Sequence, residues 1–186
     1  MKRLYNFILP PHIRRSWLLR WEDLDKFNPF IFLVVAGLVV AGVSMSYKLS
    51  ADHSRLRDIR CLAMNIYHEA RGEPLKGKYA VAAVTMNRVK DKNFPNDVCD
   101  VVYQKGWSKR YNRYISAFSW TNDKITDVPE NSDGWMESVR IAKDLYDKGI
   151  ETDAKDALYY HANYIKPYWA KKKHVVAKIG RHIFYQ

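Results

Sequence analysis

The feature that most constrains this chain is a run of 21 consecutive uncharged residues between Lys26 and Lys48. Its centre, PFIFLVVAGLVVAGVSMSY, covers Pro29 to Tyr47. At about 1.5 Å of rise per residue, a helix of that length spans a hydrocarbon core of about 30 Å. A buried core helix would keep a polar face, and this segment has none. A secretory signal is the competing reading, but its apolar region is usually about 7–15 residues long and lies nearer the N-terminus. Residues 29–47 are therefore predicted to form one transmembrane helix.

Orientation follows from the flanking cations. Lys2, Arg3, Arg14, Arg15, Arg20 and Lys26 precede the helix, in a basic tail of residues 1–28. The tail is expected in the cytoplasm, the helix in the inner (cytoplasmic) membrane, and the larger domain in the periplasm or cell-wall space. Trp17, Leu18, Leu19 and Trp21 fit either a short interfacial helix or a plain tail. Ala36, Gly37, Ala41 and Gly42 temper the hydrophobicity of the span. In this it resembles the signal-anchor-release enzymes of some phages, which implies a segment able to leave the bilayer.

A mean hydropathy of −0.43 excludes a polytopic membrane protein, and 47% hydrophobic residues exclude a wholly disordered chain. Beyond the tail the chain carries 25 cations and 17 anions, a net charge of +8. Such a domain suits a polyanionic partner. The expected side of the membrane argues against nucleic acid and favours anionic wall or lipid surfaces. Cys61 and Cys99 would lie where disulfides persist. A bridge between two helical segments is expected, with two separate buried thiols as the alternative.

Residues 48–57 read as a polar stalk before a domain over 58–186. Leu56, Ile59, Leu62, Ala63, Ile66 and Ala70 recur at helical spacing, up to Gly72. A second helix is expected from about Lys76 to Val89, with Ala80, Val84 and Asn87 on one stripe. Asn96 is a candidate cap for a short helix carrying Val98, Val101 and Val102. Lys105–Ser132 reads as loop or short helices. Asp133 is a candidate cap for a helix stopped by Gly149. Ala157–Ala162 and Val175–Tyr185, around Gly180, suit a small antiparallel sheet. The class is α+β, mostly helical.

Glu69 falls three residues after Ile66 and seven after Leu62, on the apolar stripe. A carboxyl there loses hydration and holds its proton more tightly, as a general acid requires. Glu73 follows four residues later, on the same side. Spacing alone equally allows Glu69 to bond a helix terminus or an arginine.

Seven blocks then stand in order: NIYHEARGE (Asn65–Glu73), GKYAVAAVTMNRV (Gly77–Val89), FPNDVCDVVYQ (Phe94–Gln104), AFSW (Ala117–Trp120), ALYYHA (Ala157–Ala162), PYWA (Pro167–Ala170) and IGRHIFY (Ile179–Tyr185). Together they resemble the cell-wall hydrolase family of spore cortex-lytic enzymes (SleB/CwlJ type) over roughly residues 58–185. The resemblance implies a lysozyme-like catalytic domain that degrades peptidoglycan as a lytic transglycosylase or muramidase, with Glu69 as catalytic acid and base. It leaves a phage endolysin and a bacterial autolysin both open. The chain departs from the family at His68 and in the 13 residues separating Gln104 from Phe118, longer than the usual junction.

The mechanism implied needs no cofactor, no metal and no second carboxylate, because the 6-hydroxyl of the muramic acid closes a 1,6-anhydro ring. Glu73, Asn87, Gln104, Phe118, Ser119, Trp120, Tyr160, His161 and Trp169 are the candidate glycan-binding residues, with core packing the alternative for each aromatic. Two other readings stand beside this one: a zinc-dependent N-acetylmuramoyl amidase and a noncatalytic wall-binding membrane protein. The first lacks an H-E-x-x-H pair, since Ala70, Arg71 and Gly72 follow His68-Glu69.

Overall fold

The computed structural model describes residues 28–109, 111–122, 129 and 131–186. The basic tail and the Trp17–Trp21 segment lie outside the described residues. The chain divides into two compact units, the first ending at Ala51 and the second running from Asp52 to Gln186.

Helix α1 spans Pro29–Ala70 without a break. It starts where Asn28 Oδ1 accepts the Phe30 N–H at 3.0 Å, with Pro29 at the first helical position, where its missing N–H costs nothing. Phe30, Phe32, Leu33, Leu38 and Val40 are exposed along its first half. Among the described residues this is the one helix long and apolar enough to cross a membrane, with a mean hydropathy of 2.2 over its best window. Residues 48–57, expected as a stalk, are helical. They contain no glycine or proline, so a polar composition leaves nothing to interrupt the helix.

In the second unit, the end of α1 buries Ile59, Leu62, Ala63 and Ile66 against helix α2 (Leu75–Lys90) and helix α4 (Ser132–Lys148). Helix α2 is buried on two sides. Ala82 and Ala83 join the helical core, while Ala80, Val81 and Val84 pack with Phe184 of the sheet. The small side chains of AVAAV let neighbours approach this central helix from both directions. Lys78, itself buried, pairs with Glu137 of α4.

Helix α3 (Val98–Val102) is capped by Asp97, whose Oδ1 accepts the Asp100 N–H at 3.1 Å, rather than by Asn96. Asn131 caps α4 in place of the expected Asp133, accepting from the Gly134 N–H at 2.7 Å. Asn131 has the extended backbone a cap requires, whereas Asp133 already lies inside the first turn. Gly149 ends the helix with a left-handed φ of 61°.

The Cys61–Cys99 disulfide joins α1 to α3 across a separation of 38 residues. A loop of that size corresponds to about 4 kcal/mol in the chain-entropy account of cross-links. The Cys61→Ser/Cys99→Ser chain should therefore melt well below the parent in calorimetry. Equal melting temperatures would show that the bridge contributes little.

Lys105–Ser132 departs from expectation. It contains a hairpin of β1 (Lys105–Ser108) and β2 (Arg113–Ser116), followed by a 3-10 turn at Ser119–Asn122. Each strand has only four residues, too short for alternation to stand out from the surrounding aromatics and turn formers. The second sheet matches expectation: β3 (Tyr159–Ala162), β4 (Val175–Ile179) and β5 (His182–Tyr185) are antiparallel, in the order β3-β5-β4.

Candidate active site

Glu69 lies in the last turn of α1 and is partly exposed. Its Oε2 accepts a hydrogen bond from the Tyr160 hydroxyl at 3.2 Å. Burial raises the Glu69 carboxyl above its ordinary value, and the Tyr160 hydrogen bond and the Arg88 charge only partly oppose this. Tyr160 is raised well above its own ordinary value, first by burial and then by the Glu69 charge, so it remains a donor.

Strand register explains this meeting. Tyr160 pairs with Phe184 across β3 and β5, and its ring contacts those of His182 and Phe184. That sheet face packs on Ala70, Val81 and Val84, which brings the Tyr160 hydroxyl to the end of α1. Successive strand residues point to opposite faces, so Tyr159 and His161 project the other way.

Arg88 is the main residue the motif reading passed over. It is buried on α2, with Nε donating to the Leu158 carbonyl at 2.8 Å. Its guanidinium carbon lies 5.3 Å from the Phe94 ring centre and 5.4 Å from that of Phe118. The signal was present: a cation seven residues after Val81 and four after Val84 sits on an apolar stripe.

The other expected site residues separate into groups. Phe118 and Trp120 belong to the helical core. Trp120 stacks on His68 with ring centres 4.5 Å apart, and its Nε1 donates to Asn65 Oδ1 at 3.4 Å. Ser119 is exposed beside them, and Gln104 is partly exposed, its carbonyl accepting the Ala117 N–H. Asn87 donates to the Ala154 and Ala157 carbonyls and so holds the approach to β3. His161 stacks on Tyr185, hydrogen-bonds its hydroxyl at 2.8 Å and meets Trp169 edge-on, all on the face opposite Tyr160.

Glu73 does not continue the Glu69 face. The helix ends at Ala70, and Glu73 is buried in the following turn. Its Oε1 accepts from Arg181 Nε at 2.7 Å and its Oε2 from the Arg181 backbone N–H at 2.8 Å. Burial by itself would raise the Glu73 carboxyl, but these two hydrogen bonds, with the charges of His182 and Arg181, hold it below the ordinary value. Its partners are structural, so spacing along an ideal helix misplaced it by ignoring where the helix stops.

For the zinc alternative, the ligand-bearing side chains that come together among the described residues are Asp58, Asp97 and Cys99. The Cys99 sulfur is bonded to Cys61, and Arg57 pairs with both carboxylates. This arrangement lends no support to a zinc amidase.

A mostly helical α+β domain with, among the described residues, a raised and partly exposed carboxyl at Glu69 has the parts of an acid–base enzyme. The chain belongs to the cell wall hydrolase family, whose model matches residues 72–185. That match starts just after Glu69. The chain is 33% identical over 128 residues to a spore cortex-lytic enzyme of Bacillus subtilis (strain 168), covering 68% of this chain and 37% of the relative. It is 30% identical over 127 residues to the Bacillus cereus spore cortex-lytic enzyme, covering 68% and 43%. The chain thus spans less than half the length of these curated relatives. Among solved structures, it resembles the catalytic domain of the Bacillus cereus SleB protein with a TM-score of 0.51 and 30% identity, covering 69% of this chain and 89% of that one. The catalytic domain of the germination-specific lytic transglycosylase SleB from Bacillus anthracis matches with a TM-score of 0.52 and 29% identity, covering 69% and 93%.

Proposed function

We propose that the chain degrades peptidoglycan as a lytic transglycosylase, cutting between N-acetylmuramic acid and N-acetylglucosamine. The observation that carries this reading is the Glu69 carboxyl, raised by burial and held by the Tyr160 hydroxyl. The similarity to spore cortex-lytic enzymes supports the substrate class, and the similarity to a lytic transglycosylase catalytic domain supports the reaction.

Protonated Glu69 gives its proton to the glycosidic oxygen as the bond from the muramic acid anomeric carbon breaks. The 6-hydroxyl of that sugar bonds to the same carbon, and its proton passes to the Glu69 carboxylate. The acid is restored and no water is consumed. General acid–base work of this kind contributes about 10²–10⁴-fold. Tyr160 keeps the carboxyl oriented without itself ionising. Arg88, whose charge favours the ionised carboxylate, keeps the proton from being held too tightly.

The first half of α1 serves as a single-pass anchor, N-terminus in the cytoplasm, with the second unit facing the wall. Its length, hydropathy and the six preceding cations support that topology. Retention of the full chain in the membrane pellet after alkaline carbonate washing is the expected result.

Digestion of purified peptidoglycan by the full chain in detergent, followed by mass spectrometry, tests the chemistry. Anhydro-muramic ends are expected. Reducing muramic ends would instead indicate hydrolysis, and free stem peptides an amidase. Tyr160→Phe removes a hydrogen bond that lowers the Glu69 pKa, so the pH at which kcat/KM falls on the alkaline side should move upward. An unmoved limb would show that Tyr160 does not act on Glu69.

A further inference from the structure

The β1–β2 hairpin has no role in the acid–base reading. Between Val101 and Asn122 the sequence has four cations (Lys105, Lys109, Arg110 and Arg113) and no acidic residue. Trp107 and Tyr114 stand directly opposite each other in the register, with ring centres 5.2 Å apart and planes at 74°. Both rings are open to solvent, Trp107 at 53% and Tyr114 at 65% exposure. Lys105 shares their face, since it lies two residues before Trp107.

Large aromatic rings are normally withdrawn from water, and an exposed cross-strand pair with a lysine on the same face is a surface built for contact. The hairpin is also fixed at its base. The Ala117 N–H donates to the Gln104 carbonyl at 2.8 Å, and just outside that closure Tyr103 meets Trp120 edge-on at 5.8 Å. Trp120 in turn stacks on His68, the residue before Glu69. An aromatic path therefore leads from the neighbourhood of the candidate acid to the hairpin.

We propose that the hairpin is a docking platform for the glycan strand away from the bond being cut. Sugar rings stack on Trp107 and Tyr114, and Lys105, on the same face, meets the carboxylates of the attached stem peptides. This inference rests on the proposed function and extends it to how a polymeric substrate is held. An anionic lipid surface would share the charge preference, but insertion into lipid favours aliphatic and aromatic side chains along one face. Here the Trp107 face carries Lys105 and Ser116 as its other members, and the single aliphatic residue, Ile115, projects from the opposite face.

The test uses the full chain in detergent with Glu69→Gln, so that wall material is bound without being consumed, and measures co-sedimentation with insoluble peptidoglycan. Adding Trp107→Ala and Tyr114→Ala should weaken binding by about tenfold, the size expected for losing two ring contacts. Adding Lys105→Gln instead should weaken it and flatten its salt dependence. The Tyr114→Ala change alone, at the more exposed ring, supplies the comparison should the double replacement unfold. Equal binding by the aromatic variants overturns the proposal. So does loss of flotation with anionic phospholipid vesicles at unchanged wall binding, the chain then being held in zwitterionic nanodiscs. Failure of the wild-type chain to release any wall fragment would defeat the proposed function and leave this binding comparison readable on its own.

Discussion

Glu69→Gln should lose wall cleavage by about 10²–10⁴-fold, the contribution a positioned general acid and base makes, while the chain stays folded. The amide matches the carboxyl in shape and still accepts the Tyr160 hydroxyl, but it has no proton to give. Its effect on stability has a definite sign. A carboxyl whose folded pKa is raised contributes its full stability below the unfolded value and loses it as pH rises through the folded one. Above the unfolded value the raised Glu69 carboxyl is thus a cost that glutamine removes. The variant should melt no lower than the parent at pH 7, and any advantage should disappear in acid, below the ordinary carboxyl value of 4.5. Wall-degrading activity near the parent level would end the assignment of Glu69. A large fall in melting temperature would mean that the residue is structural instead.

The second large effect is expected at Gly180, in the turn between β4 and β5. Gly180 has a φ of 58°, and a Cβ there would overlap Glu73 Oε2. Gly180→Ala must therefore adopt a conformation that L-residues disfavour and also displace the carboxylate bonded to Arg181. Losing one charged hydrogen bond at about 1.5–3 kcal/mol, on top of the left-handed conformation at about 1–2 kcal/mol, gives about 3–4 kcal/mol. That corresponds to a fall in melting temperature of about 10 °C. Gly180→Asn separates the two causes. Asparagine tolerates the left-handed region, but its Cβ meets the same oxygen, so most of the loss should persist. Both defects should narrow in acid. Glu73 has a lowered folded pKa, so the stability it adds is present above the unfolded value and disappears as pH falls through the folded one.

Much of the frame was legible because it depends on local pattern. The uninterrupted apolar run, the stripe through Ile59, Leu62 and Ile66, the glycine closing α4 and the turn at Gly180 each impose a local conformation whatever surrounds them. The disulfide was legible as a pairing because two cysteines admit only one. The hairpin was not, because four-residue strands around a turn at Asn112 leave too short a pattern to read. Residues 48–57 show the reverse difficulty, since polarity identifies solvent exposure and says nothing against a helix.

The site divides along the same line. The chain alone marked Glu69 as a carboxyl on an apolar face, because helical spacing is a property of neighbours in sequence. It could not distinguish Glu69 from Glu73, four residues on. Only folding brought Tyr160 from β3 to the one and Arg181 from the β5 turn to the other, 91 and 108 residues away. Spacing fixes which side of a helix a group leaves from. What the group then meets, and so whether its proton is held or surrendered, depends on distant segments that meet only when the core closes.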